Sequence, residues 1–383
     1  METNFPYAQY VTGRNFVGRR SDVTLLGNLL TQGEHVVLSE PPKTGKTSLI
    51  QQTLYSLRVK GVTFTVGQFS ALNIRTPQDF VLRLGSTLLR MAGTTPAEFA
   101  DLSRRFLDGT HFVFDPVAYE AEGRVLSLTW DLEAADVAAI LSLPFRLAQE
   151  RGDRIILIID EFQCLTALDD PDAILRPLSY SLKENRDNRR FSYVFAGSGV
   201  NAMKTIFRGS LLFHRLVERV KLSPVDEIEM ADHIHRGFTS AGKVVEKELL
   251  QGACRLFRGH LWYINHFASI CDGMTRGYLM EPGLVDALAS LISVHEPRFV
   301  DMMSGLTTHQ VNLLKATVEG VTRFSSAEVI RQYGLNSSAN VKRVKDALMK
   351  KEVLEFDEDD KPTIIDPLFE YWVKKYYFEM KEA

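Results

Sequence analysis

Two short stretches of this chain carry residues whose types and spacing fit one chemistry, the handling of a triphosphate. The first is EPPKTGKTSLI, from Glu40 to Ile50. Gly45, Lys46 and Thr47 open a segment in which Leu49, Ile50, Leu54 and Leu57 recur at helical spacing, and EHVVLS before it reads as a short strand. A strand, a tight turn and a helix N-terminus aim backbone N–H groups at phosphate oxygens. Pro42, Lys43, Thr44, Gly45, Lys46, Thr47 and Ser48 form the expected binding set. In it Lys46 reaches the β- and γ-phosphates and the Thr47 hydroxyl ligates Mg²⁺. The usual pattern G-x-x-x-x-G-K-[ST] has a glycine where this chain has Glu40. Pro41 pushes Glu40 into extended conformations open to any residue, so a left-handed glycine is not required, and the carboxylate must point away from the nucleotide.

The second stretch is RIILIIDEFQCL, an aliphatic run that reads as a central strand of a parallel sheet and ends in Asp160 and Glu161. There Asp160 is expected to hold the metal through water and Glu161 to polarise the attacking water. A third run, FSYVFAGSG, puts Ser198 at a strand tip, where a hydroxyl can sense the γ-phosphate or align the water; ordinary Gly-Ser-Gly turn chemistry is the competing reading. A chance G-K-T at a helix start and a solvated D-E loop compete for the first two stretches taken singly. Their pairing in one chain favours a nucleotide site.

The elements that must position these residues need room, and 383 residues suffice for two or three domains. Hydrophobic residues at 45% and charged residues at 24% are ordinary globular values. A net charge of −3 excludes global attraction to nucleic acid or anionic membranes and leaves only local patches. No targeting signal or membrane-length apolar run is read, and Cys164, Cys254 and Cys271 lack zinc spacing, so a cytoplasmic location is expected. His233 and His235, two apart on a helix, point to different faces and make no metal site. Thr95 to Glu98 reads as a capping box opening a helix, whereas HFVFDPVAYEAEGRVLSLTWD reads as a strand pair or an irregular insertion, a possible partner surface.

With these residues in hand, the chain resembles the archaeal-type ATPases of the STAND branch of AAA+ P-loop NTPases over nearly its whole length. FVGRRSDVTLLGNLL is similar to that family's F-x-G-R-x-x-E-x-x-x-L segment, which implies that Val17, Gly18 and Arg19 line the adenine pocket; Asp22 stands where glutamate is usual. DEFQ is the family's form of the acidic strand tip, and GSGVNAM followed by SLLFHR resembles its later signatures, which makes Arg215 the candidate for contacting the γ-phosphate. FRGHLWYI resembles the lid's G-x-P motif with Leu261 in place of proline, and DPLFEYWVKKY matches the family's ending. The implied fold is an α/β AAA+-like core over residues 1–224, a helical lid over 225–300 and a winged helix over 301–383.

The implied function is an ATP-binding, Mg²⁺-dependent and slow ATPase that uses nucleotide state, ATP or ADP, as a conformational switch, with a protein partner left unidentified. Ser325 and Glu328 are expected to cap a helix of the winged domain, and VLEFDEDDKPTII to form its wing. DNA is an alternative partner through the outward face of Lys342, Arg343 and Lys345, with the nucleotide then a structural ligand. Against it, the chain from Leu306 onward holds 12 Lys+Arg and 13 Asp+Glu, a net of −1, and its wing tip is acidic. A small-molecule kinase is less favoured, since no substrate-binding arginine cluster stands out.

Overall fold

The structure, a computed structural model, describes residues 4–209 and 211–380. The first three residues, part of the stretch read for a targeting signal, and Ser210 of the SLLFHR stretch lie outside them. In chain order the strands are β1 (Val36–Ser39), β2 (Thr65–Ser70), β3 (Phe112–Val113), β4 (Ser127–Leu128), β5 (Ile155–Asp160), β6 (Phe191–Gly197), β7 (Glu218–Val220), β8 (Val244–Val245), β9 (Tyr278–Leu279), β10 (Leu354–Phe356) and β11 (Pro362–Ile364). The described residues pack as two compact units. One comprises Arg20–Glu40 and Thr53–Leu222; the other comprises the residues up to Arg19, Pro41–Gln52 and those from Ser223 onward.

The first unit is built on a five-stranded parallel sheet in the order β2-β5-β6-β1-β7. β5 and β6 are central and buried along their lengths, which is why β5 is an unbroken aliphatic run up to Asp160 and β6 is largely apolar, with only Ser192 polar among residues 191–196, and neither alternates. Each aliphatic side chain buried in β5 contributes about 1.5–3 kcal/mol. Register fixes what meets at the carboxyl edge: Ser70 lies beside Asp160 and Ser39 beside Gly197, so β1, β2, β5 and β6 all end together. Helices Arg20–Gln32, Pro77–Ala92, Pro96–Phe106, Ala134–Arg151 and Asp172–Glu184 belong to this unit. Thr95 caps Pro96–Phe106 with the expected reciprocal bonds to Glu98. The segment after it is a strand pair, β3 with β4, enclosing the helix Pro116–Glu122.

The second unit is helical and ends in a β-hairpin. Helices Glu227–Ser240, Lys247–Leu256, Leu261–Met274 and Glu281–Ser304 precede helices Thr308–Val318, Ala327–Gln332 and Ser338–Lys350, the antiparallel hairpin β10–β11, and the helix Pro367–Trp372. One apolar cluster joins Phe5 and Val17 to Phe257, Phe299, Leu348 and Trp372, so the helices from 227 to 304 and the residues after them share a core. The helix Glu281–Ser304 runs continuously through residue 300. The cap expected at Ser325 sits one residue later: Ser326 accepts from the Val329 N–H at 3.3 Å, because an N-cap hydroxyl reaches the amide three residues on. No described helix is long and apolar enough to cross a membrane.

Candidate functional site

The chain leaves β1 at Glu40 and turns into the helix Lys46–Val59. Glu40 has no positive φ, its N–H bonds the Gly197 carbonyl at 3.4 Å, and its carboxylate accepts from the Leu222 N–H at 3.0 Å. Within the helical unit the loop residues turn sharply, with φ of 61° at Lys43 and 100° at Gly45. The left-handed angle suits Gly45, and a Cβ there would stand 2.9 Å from the Arg19 guanidinium. Lys46 is buried and its ammonium donates to the Pro41 carbonyl at 2.8 Å, a bond that the Thr44 hydroxyl also makes at 2.8 Å. A carbonyl oxygen thus already occupies the ammonium as a phosphate oxygen would. Thr47 is the second helical residue and half-buried.

The segment before residue 20 folds over this loop. Val11 N–H donates to the Ser48 hydroxyl at 3.1 Å and Gly13 N–H to Gln52 at 2.7 Å. Gly18 (φ 65°) donates to Glu229 at 3.2 Å, and a Cβ on it would meet Val225 at 2.9 Å. Arg19 donates to the Thr44 carbonyl at 2.6 Å and the Ser223 carbonyl at 2.9 Å, which clamps the loop. Val17, Arg19, Lys43, Gly45 and Ser48 line one cleft together with Tyr7, Leu261, Trp262 and Asn265.

Tyr7, His260 and Trp262 carried no assigned role in the sequence. Lys43 lies 3.6 Å above the Trp262 ring, and burial, then Arg298, lowers its pKa. Tyr7 stacks on His266 at 4.2 Å and meets Trp262 edge-on at 5.9 Å. His260 caps the helix Leu261–Met274 and contacts the Pro42 carbonyl through Nε2 at 3.2 Å; burial lowers its pKa to about 4, so it is neutral. Its ring lies 4.7 Å from Tyr263, whose hydroxyl is shared with Asp366 and Arg298. Asp366 in turn caps Pro367–Trp372, so a continuous set of contacts joins the loop to the last helix.

At the carboxyl edge of the sheet, the other expected residues come from the other unit. Asp160 accepts from the Glu161 N–H at 2.9 Å, and Glu161 itself has a left-handed φ of 52°. The Ser198 hydroxyl donates to the Glu161 carboxylate at 2.6 Å, and Gln163 donates both to that carboxylate and, at 3.3 Å, to Ser198. The sheet therefore brings Glu161 and Ser198 into one hydrogen-bonded cluster. Gln163 was visible only as part of DEFQ. Gly197 leaves space for it, since a Cβ there would meet Gln163 at 2.5 Å. Arg215 is exposed, at φ 58°, and makes no hydrogen bond or ion pair with a described residue.

Of the basic residues on Ser338–Lys350, Lys342 and Arg343 are exposed. Lys345 departs from the outward orientation expected of it. Its ammonium pairs with Asp360 of the β10–β11 turn at 2.5 Å and sits 4.2 Å from the Phe356 ring, because the acidic turn folds back over the helix. His233 is buried and His235 half-buried, and no group of three metal-ligating side chains occurs among the described residues.

Residues 297–375 match a family model described as "Probable winged helix domain". No curated protein sequence matches the chain. Among solved structures, a Walker-type ATPase of Pyrococcus abyssi is similar with a TM-score of 0.68 at 16% identity, covering 97% of this chain and 100% of that one. The ORC2 protein of Aeropyrum pernix is similar in its ADPNP-ADP complexes (TM-score 0.58, 14% identity, 95% of this chain and 93% of that) and in its ADP form (0.56, 14%, 99% and 98%). Sheet order and C-terminal match together give this chain the fold seen in those Walker-type ATPase and ORC2 structures, a parallel sheet flanked by helices and followed by a helical segment and a winged helix domain.

Proposed function

We propose that this protein binds ATP and hydrolyses it slowly, using nucleotide state as a conformational switch. The observation that carries the reading is the loop 41–47: a buried Lys46 whose ammonium is held by a loop carbonyl, left-handed Lys43 and Gly45, and a helix N-terminus behind them. On this reading ATP displaces the Pro41 carbonyl from Lys46, backbone N–H groups of residues 43–47 hold the phosphates, and the base enters the cleft beside Val17, Gly18 and Arg19. Thr47 and Asp160 offer the hard oxygen donors that Mg²⁺ takes, and the ion when bound neutralises β- and γ-phosphate charge. Glu161 accepts the proton of the attacking water, Ser198 and Gln163 orient its carboxylate, and Arg215 is the group assigned to the γ-phosphate.

The switch follows from what the loop touches. Pro42 bonds His260 and Lys43 covers Trp262, so a loop rearranged by phosphate shifts the start of the helix Leu261–Met274 and, through Tyr263, Asp366. Equilibrium titration with ADP and ATP tests the site. Wild type should bind both, and Lys46→Ala should weaken ATP at least about 100-fold, as expected for loss of a buried charge-assisted phosphate contact. Equal affinities would remove the assigned site.

DNA binding through the winged helix is the less favoured reading. Lys345 is committed to Asp360, and Asp357, Glu358 and Asp359 flank that pair in the same turn. Duplex binding that weakens with salt and is lost on reversing Lys342 and Arg343 would reinstate it.

A further inference from the structure

The wall of the cleft beside the loop holds one polar group that the chemistry proposed above leaves unused. Asn265 lies one turn after Leu261 on the helix Leu261–Met274, and both line the cleft that Arg19, Lys43, Gly45 and Ser48 also line. Its side-chain Nδ2 donates to the Leu261 carbonyl at 2.9 Å. A carbonyl oxygen only accepts, so this bond fixes which way the amide is turned. The other end, Oδ1, is shielded from water and has no hydrogen-bond partner among the described residues. A buried acceptor without a donor is costly, and one in a cleft wall calls for a donor that arrives with a ligand.

The surroundings indicate what carries that donor. Tyr7, Phe16 and Val17 come to the same cleft from the segment before residue 20, and Leu261 and Trp262 from the helix itself. Apolar and aromatic walls with a fixed polar group among them suit a nucleobase. Lys43 and Gly45 at the same cleft place the phosphate loop within its lining. Purine bases differ in what they offer a lone acceptor. Adenine carries the donor N6 amine where guanine carries the acceptor O6. Against Oδ1 the amine makes a bond, whereas O6 sets two acceptors facing each other.

We infer that Asn265 reads the base, its Oδ1 accepting the exocyclic amine, and so makes the cleft selective for adenine over 6-oxopurines. The inference rests on the nucleotide reading of the loop 41–47. It gives Asn265 a role in specificity alone, since the residue is remote from the proposed attacking water and its base.

Calorimetric titration with ADP and inosine 5′-diphosphate tests it, because inosine carries oxygen where adenosine carries the amine and neither diphosphate has a γ-phosphate to lose. Wild type should bind ADP at least about tenfold more tightly. In Asn265→Ala the preference should shrink to within about twofold, through weaker ADP binding with the inosine nucleotide little changed. Thermal unfolding verifies that the variant is folded, and Asn265→Leu, which retains side-chain volume, serves if Asn265→Ala is not. Equal affinities in wild type would overturn the inference and leave the nucleotide site standing, and so would an undiminished preference in a folded variant. Binding of neither nucleotide by wild type would overturn the reading of the loop itself, and this inference with it, so the two failures give different results.

Discussion

Glu161 shows how much a single residue depends on partners the sequence barely announces. Its carboxylate is shared by Ser198 and Gln163, and its backbone is left-handed. In the role proposed for Glu161, a general base works only if oriented, and a misplacement of about 1 Å costs up to 10²-fold. Ser198→Ala is therefore expected to lower kcat by about 10- to 100-fold while leaving the ATP dissociation constant within about twofold, measured by phosphate release and by titration. Gly18→Ala tests the adenine side. It forces a Cβ to within 2.9 Å of Val225 at a φ of 65°, so nucleotide affinity and the unfolding midpoint should both fall. The placement of Lys46 and Thr47 at a helix start and of Asp160 and Glu161 at a strand tip was legible because those patterns are local. Trp262 over Lys43 and Arg19 on Thr44 were not, because those partners are separated by long stretches of chain and no local pattern encodes the pairing.

At the scale of elements, β6 and the turn before β1 set a pH limit on the sheet. His35 is buried against Phe145, Phe191 and Tyr193, and its Nδ1 accepts the Tyr193 N–H at 3.1 Å. Burial, then Arg189, lowers its pKa from 6.5 to about 4. The folded state keeps this ring neutral, whereas the unfolded chain takes up a proton below 6.5. Stability is thus fully present above pH 6.5 and falls as pH drops toward 4, by roughly 3 kcal/mol for this one group. Urea unfolding at pH 7 and pH 4.5 should show a smaller pH dependence in His35→Leu than in wild type. Some dependence should persist, since burial also lowers His260 and His295 to about 4. The apolar runs of β5 and β6 and the wing hairpin were readable from period and turn chemistry. The cap at Ser326 shows the opposite limit: two adjacent serines compete, and only packing selects one.

For the whole molecule, charge decides between partners. A net of −3, a C-terminal segment of net −1 and the Lys345–Asp360 pair leave little to hold a phosphate backbone. Filter binding at 50 and 200 mM salt is expected to show no more than weak, non-specific association with duplex DNA. Nucleotide should instead stabilise the protein: ATP at about 100 times its dissociation constant contributes about 2.7 kcal/mol and raises the unfolding midpoint, an effect absent in Lys46→Ala. The most direct test of the central claim is steady-state phosphate release from ATP with magnesium, comparing wild type with Glu161→Gln. The account predicts slow turnover by wild type and a loss of at least about 100-fold in a variant that still binds ATP. Equal rates in the two proteins, or no release by wild type that binds ATP, would contradict it.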